Sequence, residues 1–419
     1  MTAPQVITLG CRLNTFESEI MRQHAEAGSL ENAVIINTCA VTAEAERQAR
    51  QTIRRARRDN PKAKLIVTGC AAQLAPEKFG AMPEVDRVLG NAEKLDPASY
   101  GAWAVNAAPV HVTDIMTVHE TAPHMVAGFE GRERAFVQVQ QGCDHRCTFC
   151  IIPFARGPNR SVGMGHLIEQ VAKLCDEGYK EIVLTGVDIC SYGEDLPGAP
   201  RLGHMVTKLL GAVPQLARLR LSSLDPAAMD DALFDLLANE PRLMPHLHLS
   251  LQAMDDMVLK RMKRRHSHGD AVRVIERARL ARPDVAIGAD LIAGFPTETD
   301  AMFENTLAAV DGLGLSHLHV FPYSAREGTA AARMPSVPGD VAKARAARLR
   351  RAGEKALHDL KLRQTGTAGR VLIERPGEGH SEHYIPVKID GADDPGRPGQ
   401  IVDVRITSVT ADGLVGVAA

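Results

Sequence analysis

Apolar and polar positions alternate in blocks along the first hundred residues. Val6 to Leu9, Ala33 to Ile36 and Leu65 to Val67 are short apolar runs, separated by longer polar stretches with helical spacing such as Glu44 to Arg58. Runs of this length between helix-like segments predict strands buried on both faces and joined by crossover helices, as parallel pairing requires. The section reads as an open parallel α/β sheet. Gly101 to Glu130, with Trp103 and two prolines, reads as a connection.

The alternation restarts at Ala135. Candidate strands at 135–140, 181–186, 217–222, 246–251, 286–292 and 316–321 are divided by helix-like segments at 164–178, 202–213, 229–239, 269–281 and 299–313. Six βα units predict a partial (β/α)6, TIM-like barrel whose functional face is the carboxyl end of its strands. Residues 340–363 form a helix with eight Lys or Arg against three acids, read as a solvated face. After Thr365, short strands at Val371 to Glu374, Tyr384 to Lys388, Ile401 to Thr407 and Leu414 to Val417, divided by Gly, Pro and Asp turns, predict a small terminal β-barrel. The fold class is α/β.

Composition narrows the function classes. The chain has 419 residues, 45% hydrophobic and 24% charged, which excludes disorder and small disulfide scaffolds. A net charge of −2 offers no global attraction to polyanions, so nucleic acid has to meet a local patch. No run approaches the roughly 18 apolar residues of a spanning helix, and the start, MTAPQVITLGCRLNTFE, lacks a basic region followed by a long apolar one. A cytoplasmic protein with no membrane partner is expected.

Eight cysteines in such a chain are too few for a secreted disulfide framework and are expected as thiols. Cys143, Cys147 and Cys150 form a C-x3-C-x2-C loop, three soft ligands that suit an iron–sulfur cluster with one iron left open. An open iron can chelate S-adenosylmethionine and pass an electron to its sulfonium. The alternative is a zinc knuckle with His145 as the fourth ligand. Cys11, Cys39 and Cys70 each follow one of the three apolar runs, so as parallel strand ends they converge on one rim of the sheet and form a candidate second three-thiolate site. The alternative for any one of them is ordinary burial. Cys175 is assigned to packing, and Cys190 is undecided.

The loop Gln141-Gly-Cys-Asp-His-Arg-Cys-Thr-Phe-Cys-Ile-Ile-Pro-Phe-Ala-Arg-Gly157, together with the three N-terminal cysteine phrases and the terminal barrel, resembles the radical S-adenosylmethionine methylthiotransferases over nearly the whole chain. Thr8 to Asn14, Ile36 to Thr42, Leu184 to Asp188 and Ala155 to Ser161 are most similar to the branch that acts on N6-threonylcarbamoyladenosine beside the tRNA anticodon. The resemblance implies a methylthiotransferase domain over 1–125, a radical SAM core over 126–363 and a TRAM domain over 365–419. It implies two [4Fe–4S] clusters. Cys143, Cys147 and Cys150 would hold the one that cleaves S-adenosylmethionine, and Cys11, Cys39 and Cys70 the one that carries the transferred sulfur. A tRNA substrate and an electron donor such as flavodoxin or ferredoxin follow as partners.

Phe149, Ile151 and Pro153 are then candidates for packing on the adenine of S-adenosylmethionine, and Gly186 and Asp188 for its methionine end. Ser222, Asp225, Gln252 and Asp290, at strand ends, suit ribose and amino-acid contacts. Gln252 is followed by Ala253-Met254 where the family more often has Ser-Gly. The terminal domain has five basic residues against eight acids, poor for phosphate binding. RNA contact is therefore expected from Arg47, Arg50, Arg54, Arg55, Arg57 and Arg58, and from Lys260, Arg261, Lys263, Arg264 and Arg265. The rival readings are methylthiolation of an aspartate in a small-subunit ribosomal protein, and a non-catalytic iron–sulfur or zinc RNA-binding protein.

Overall fold

A computed structural model describes residues 3–101, 108–120, 124–391 and 396–419. The first sheet is parallel, in the order β1 (Gln5–Thr8), β2 (Ala33–Thr38), β3 (Lys64–Gly69), β4 (Arg87–Leu89) and β5 (Val110–His111). Its apolar runs lie in register, with Ile7 beside Ile36 and Ile36 beside Val67. Alternate residues feed two cores. Val34, Ile36, Leu65 and Val67 pack under Ile53 and Ala56 of the helix Ala43–Asp59, while Ile35 and Ile66 meet Met21 and Tyr100 on the other face. β4 and β5 were not anticipated, and β5 lies within the stretch read as a connection. Two or three residues carry too little pattern to distinguish a strand from a loop. Trp103 lies outside the described residues.

The central unit has six parallel strands flanking a small antiparallel pair. In chain order these are β6 (Arg134–Gln138), the pair β7 (Gln140–Gln141) and β8 (Arg160–Ser161), then β9 (Glu181–Thr185), β10 (Arg218–Leu221), β11 (His246–Gln252), β12 (Ala286–Ala293) and β13 (His317–Pro322). They form two three-stranded sheets, β10-β9-β6 and β11-β12-β13, stitched by isolated parallel bridges at Leu219–Leu243 and Leu224–Leu249. The expected partial barrel is thus present, with its weakest seam between β10 and β11. A register shift at the end of β11 puts Gln252 in the left-handed region, φ 68°. The basic helix Gly339–Gln364 is more than a solvated face. It lies against β13, with Gly353 where an added Cβ would sit 2.7 Å from Leu318, and its buried Arg345 pairs with Glu298 and Asp300.

The terminal barrel is closed, in the order β14 (Ala368–Arg375), β15 (Glu378–Ser381), β16 (Pro386–Ile389), β18 (Leu414–Ala418) and β17 (Ile401–Val409), around Ile373, Val387, Val404 and Leu414. β15, Glu-Gly-His-Ser, has no apolar residue and was invisible as a strand, while Tyr384 precedes β16 instead of starting it. This barrel docks at the amino end of the central strands. Buried Glu181 at the start of β9 receives Arg134, Arg218 and Arg220, and Arg220 also donates to the Ser381 and Glu382 carbonyls. The carboxyl ends of the central strands are left open toward the first sheet.

Candidate active site at the barrel mouth

The loop carrying Cys143, Cys147 and Cys150 leaves β7 through Gly142. That residue has φ 72°, and an added Cβ would lie 1.7 Å from the Pro158 carbonyl, so only glycine fits. Backbone bonds pin the loop at several points: Cys143 N to Gly157 O at 3.0 Å, Cys150 N to Cys147 O at 3.1 Å, and Thr148 N to Met262 O at 3.0 Å. The Arg264 guanidinium lies 3.6 Å from the Cys147 sulfur and also donates to Ser250 O. His145 pairs with Asp188 at 2.9 Å. None of the eight cysteines is in a disulfide. Burial pushes the Cys143 thiol up to about 12 and Cys150 to about 11, so deprotonation here needs a bound cation.

The second trio is assembled from three strand ends. Cys11 caps the helix Arg12–Ala27, Cys39 follows β2, and Cys70 opens the short helix Cys70–Leu74. Gly10, φ 98°, and Gly69, φ 95°, bring these ends together. An added Cβ on Gly10 would sit 2.7 Å from Cys39 Cβ, and one on Gly69 would sit 2.4 Å from Thr38 O. Behind the trio lies a charge cluster that sequence reading missed. Glu17 and Lys94 are fully buried and paired at 2.7 Å, and Glu17 also binds Arg156. Arg156, on the helix Ile152–Arg156 that follows the other loop, points its Nε at the Cys70 sulfur, 3.2 Å away. Burial opposes the Glu17 charge, but Arg156 and Lys94 hold its carboxyl below the usual range. The signal in the sequence was Glu17 itself, an acid on the apolar side of its helix.

Cys11, Cys39 and Cys70 line one cavity of about 540 Å³ together with Cys150. Of the candidates for S-adenosylmethionine contact, Phe149, Ile151, Gly186, Ser222, Gln252 and Asp290 are in its wall. Three candidates are not. Pro153 is buried in the first turn of Ile152–Arg156, Asp188 is bound to His145 and Ser191, and Asp225 caps the turn Pro226–Ala228 while receiving Arg264 at 3.4 Å and Arg265 at 3.2 Å. They hold the loop and its neighbours in place. Cys190 accepts from Asp225 N at 3.3 Å and is buried, and Cys175 is in the main core, so both are structural. The wall also carries His248 and His319, which share Asp290 Oδ1 at 2.9 and 3.0 Å. Their two-residue spacing from His246 and His317 marks them as sharing a strand face.

Some of the residues expected to contact RNA are engaged within the protein. Arg57 is tied to the Glu84 and Ala63 carbonyls and to Asp86, and Arg47 to Glu44. Arg264 is turned inward to Cys147 and Arg261 to the Thr297 carbonyl. A charge count does not show such pairings. Arg54, Arg55 and Arg58 remain exposed, with acids at 3.5–3.9 Å.

Residues 137–310 match the Radical SAM superfamily and residues 4–90 match the uncharacterized protein family UPF0004. A protein of Rickettsia prowazekii, the threonylcarbamoyladenosine tRNA methylthiotransferase MtaB, is 52% identical over 386 residues, covering 92% of this chain and 91% of its own. The chain belongs to the MtaB family. The MtaB protein of Thermotoga maritima is 36% identical, over 99% of this chain and 96% of its own. Among solved structures, the radical S-adenosylmethionine methyltransferase TsrM of Kitasatospora setae has the same fold, with TM-score 0.55 at 16% identity over 79% of this chain and 75% of that one. Membership in the radical SAM superfamily implies a [4Fe–4S] cluster and S-adenosylmethionine. The MtaB-family loop fits them. It offers three unpaired thiols within one turn of chain and a cationic Arg264, and Cys150 faces a cavity large enough for a ligand.

Proposed function

We propose that this chain methylthiolates tRNA, converting N6-threonylcarbamoyladenosine beside the anticodon to its 2-methylthio derivative. The observation that carries the reading is the meeting of Cys11, Cys39 and Cys70 with Cys150, the last cysteine of the loop trio, in one cavity. Replacing an unactivated aromatic C–H by C–SCH3 has no easy polar route, so radical generation and sulfur delivery have to reach the same carbon. Cys143, Cys147 and Cys150 hold the first cluster and Cys11, Cys39 and Cys70 a second [4Fe–4S] cluster. When bound, these groups supply the electron that cleaves S-adenosylmethionine and the sulfur that is transferred.

The protein's own residues position the reactants. Phe149 and Ile151 offer apolar faces to the adenine of S-adenosylmethionine. Gly186 keeps the end of β9 free of a side chain, and Ser222 and Gln252 add polar groups to the same wall. Arg264 and Arg156 set a positive charge beside one sulfur of each trio, which favours the electron-rich state of each site. Residues 1–125, 126–363 and 365–419 are the functional divisions. Asp144 to Cys147 and Lys263 to Arg265 line a small basic recess at the first trio, which suits an acidic electron donor such as flavodoxin or ferredoxin. No helix among the described residues is long and apolar enough to cross a membrane, and we place the protein in the cytoplasm with its tRNA.

The relatives described above are named for tRNA, which does not favour the ribosomal-protein aspartate. The test is anaerobic reconstitution with iron, sulfide, S-adenosylmethionine and dithionite, followed by mass spectrometry of nucleosides. Appearance of the 2-methylthio nucleoside with 5′-deoxyadenosine is expected. Its absence from tRNA, with modification of the ribosomal protein instead, refutes the reading.

A further inference from the structure

A second cavity of about 380 Å³ adjoins the first and shares Arg12, His248 and His319 with it. Its far wall holds His246, His317 and Tyr384. None of the cluster ligands lines it, so its chemistry needs another explanation.

Arg12 is the unusual member. The arginines around it are matched: Arg156 by Glu17, Arg220 by Glu181, Arg264 by Asp225. Arg12 is half-buried and has neither an ion pair nor a hydrogen bond among the described residues; its guanidinium lies 5.7 Å from the Tyr384 ring centre. A half-buried guanidinium with no anion beside it is free to take one from a ligand. The neighbouring imidazoles do not add permanent charge. Burial drives His317 down to about 3 and His246 well below its ordinary value. Glu354 and Arg350 are exposed at the outer rim, where water screens both.

His319 supplies the opposite polarity. Its Nδ1–H donates to Asp290 Oδ1 at 3.0 Å, the atom that also accepts from His248 Nε2. In a neutral imidazole, donation through Nδ1 leaves Nε2 as an acceptor. Burial opposes the Asp290 charge, but these two donors hold its carboxyl well below the carboxylate range. The cavity therefore presents one fixed cation and one acceptor, and Arg12 directly follows Cys11 in the chain.

We propose that this second cavity is the specificity pocket for the N6 substituent of the target adenosine: Arg12 receives its carboxylate, and His319 accepts a hydrogen bond from its hydroxyl or ureido N–H. This rests on the tRNA reading above and deepens it. A threonylcarbamoyl group carries both features, whereas an apolar N6 group, or a bare amine, leaves Arg12 desolvated and unpaired. Rejection thus comes from an unmet charge, which discriminates better than a missing apolar contact does.

The test compares two tRNAs: one with N6-threonylcarbamoyladenosine, and the same tRNA with that carboxylate converted to a neutral amide by carbodiimide and ammonia. With the wild-type holoenzyme, kcat/KM for methylthio transfer is expected to fall at least about tenfold on amidation. Arg12→Gln, matched for iron content, is expected to lose activity on the natural tRNA and to treat the two tRNAs alike. Wild-type turnover indifferent to amidation overturns the pocket, as does an Arg12→Gln protein that keeps the wild-type preference. No methylthio product from either tRNA with the wild type overturns the tRNA reading itself, and the pocket with it.

Discussion

The two cysteine trios have the same ligand number and meet at one cavity, which the second lines fully and the first reaches through Cys150, yet they are built in opposite ways. Cys143, Cys147 and Cys150 sit within eight residues of one loop, pinned by its own backbone bonds and by Gly142. Cys11, Cys39 and Cys70 are brought together by a sheet, by two glycines that let strand ends approach, and by the buried Glu17–Lys94–Arg156 cluster behind them. A local trio survives modest damage to the fold. A trio assembled from three strand ends exists only while sheet and charge cluster are intact. Arg156 crosses from the helix after the first loop to the sulfur of Cys70, so the second site also reports on the seating of the first domain against the barrel.

The largest expected effect separates the trios by chemistry. Cys147→Ala should abolish both 5′-deoxyadenosine formation and methylthio transfer, whereas Cys39→Ala should abolish transfer while 5′-deoxyadenosine still forms. Chromatography of anaerobic reactions reads both products. Transfer surviving in Cys39→Ala breaks the comparison. Next comes the scaffold. Glu17→Ala leaves Lys94 and Arg156 buried without their anion, and should cost about 3–5 kcal/mol in denaturant unfolding. It should also lower iron at the assembled trio while the loop trio keeps its own.

Acid should act more gently, and away from both trios. Although burial opposes its charge, Arg220, Arg134 and Arg218 hold Glu181 down to about 2, against an ordinary value near 4.5. A depressed acid contributes stability that is full above its unfolded pKa and is lost as pH falls toward its folded one. Docking of the terminal barrel should thus weaken between about pH 4.5 and 2, as Tyr384 fluorescence or limited proteolysis can follow. Loss of that docking on raising the pH instead would contradict the assignment. The smallest effect is expected from exposed Arg54, Arg55 and Arg58. Their triple replacement by Gln should change stability by under about 0.5 kcal/mol. It should also flatten the salt dependence of tRNA affinity, by up to about 0.9 in log–log slope for each phosphate that is no longer neutralised.

What the chain disclosed in advance follows the same division. The loop trio is a contiguous phrase, and the assembled trio was legible because three apolar runs of similar spacing place their successors on one rim. The six central strands were legible from their own pattern, continuous in Ile182 to Leu184 and alternating in Arg218–Leu221 and His246–Gln252. Arg87–Leu89, Val110–His111 and Glu378–Ser381 were not, since their pairing is imposed by neighbouring strands rather than by their own pattern. The unseen parts of the site are long-range pairings. Glu17 with Arg156, Arg264 with Cys147, and the grip of His248 and His319 on Asp290 join residues 139, 117, 42 and 29 positions apart. Residue type alone made Arg264 look like an RNA contact. Only the fold turns it inward.

The central claim is that each trio holds its own cluster beside the shared cavity, and iron per chain after anaerobic loading tests it most directly. The account predicts about eight irons in the wild type, falling to about four when either trio is replaced by alanine. About four irons in the fully loaded wild type, or zinc in their place, would contradict it.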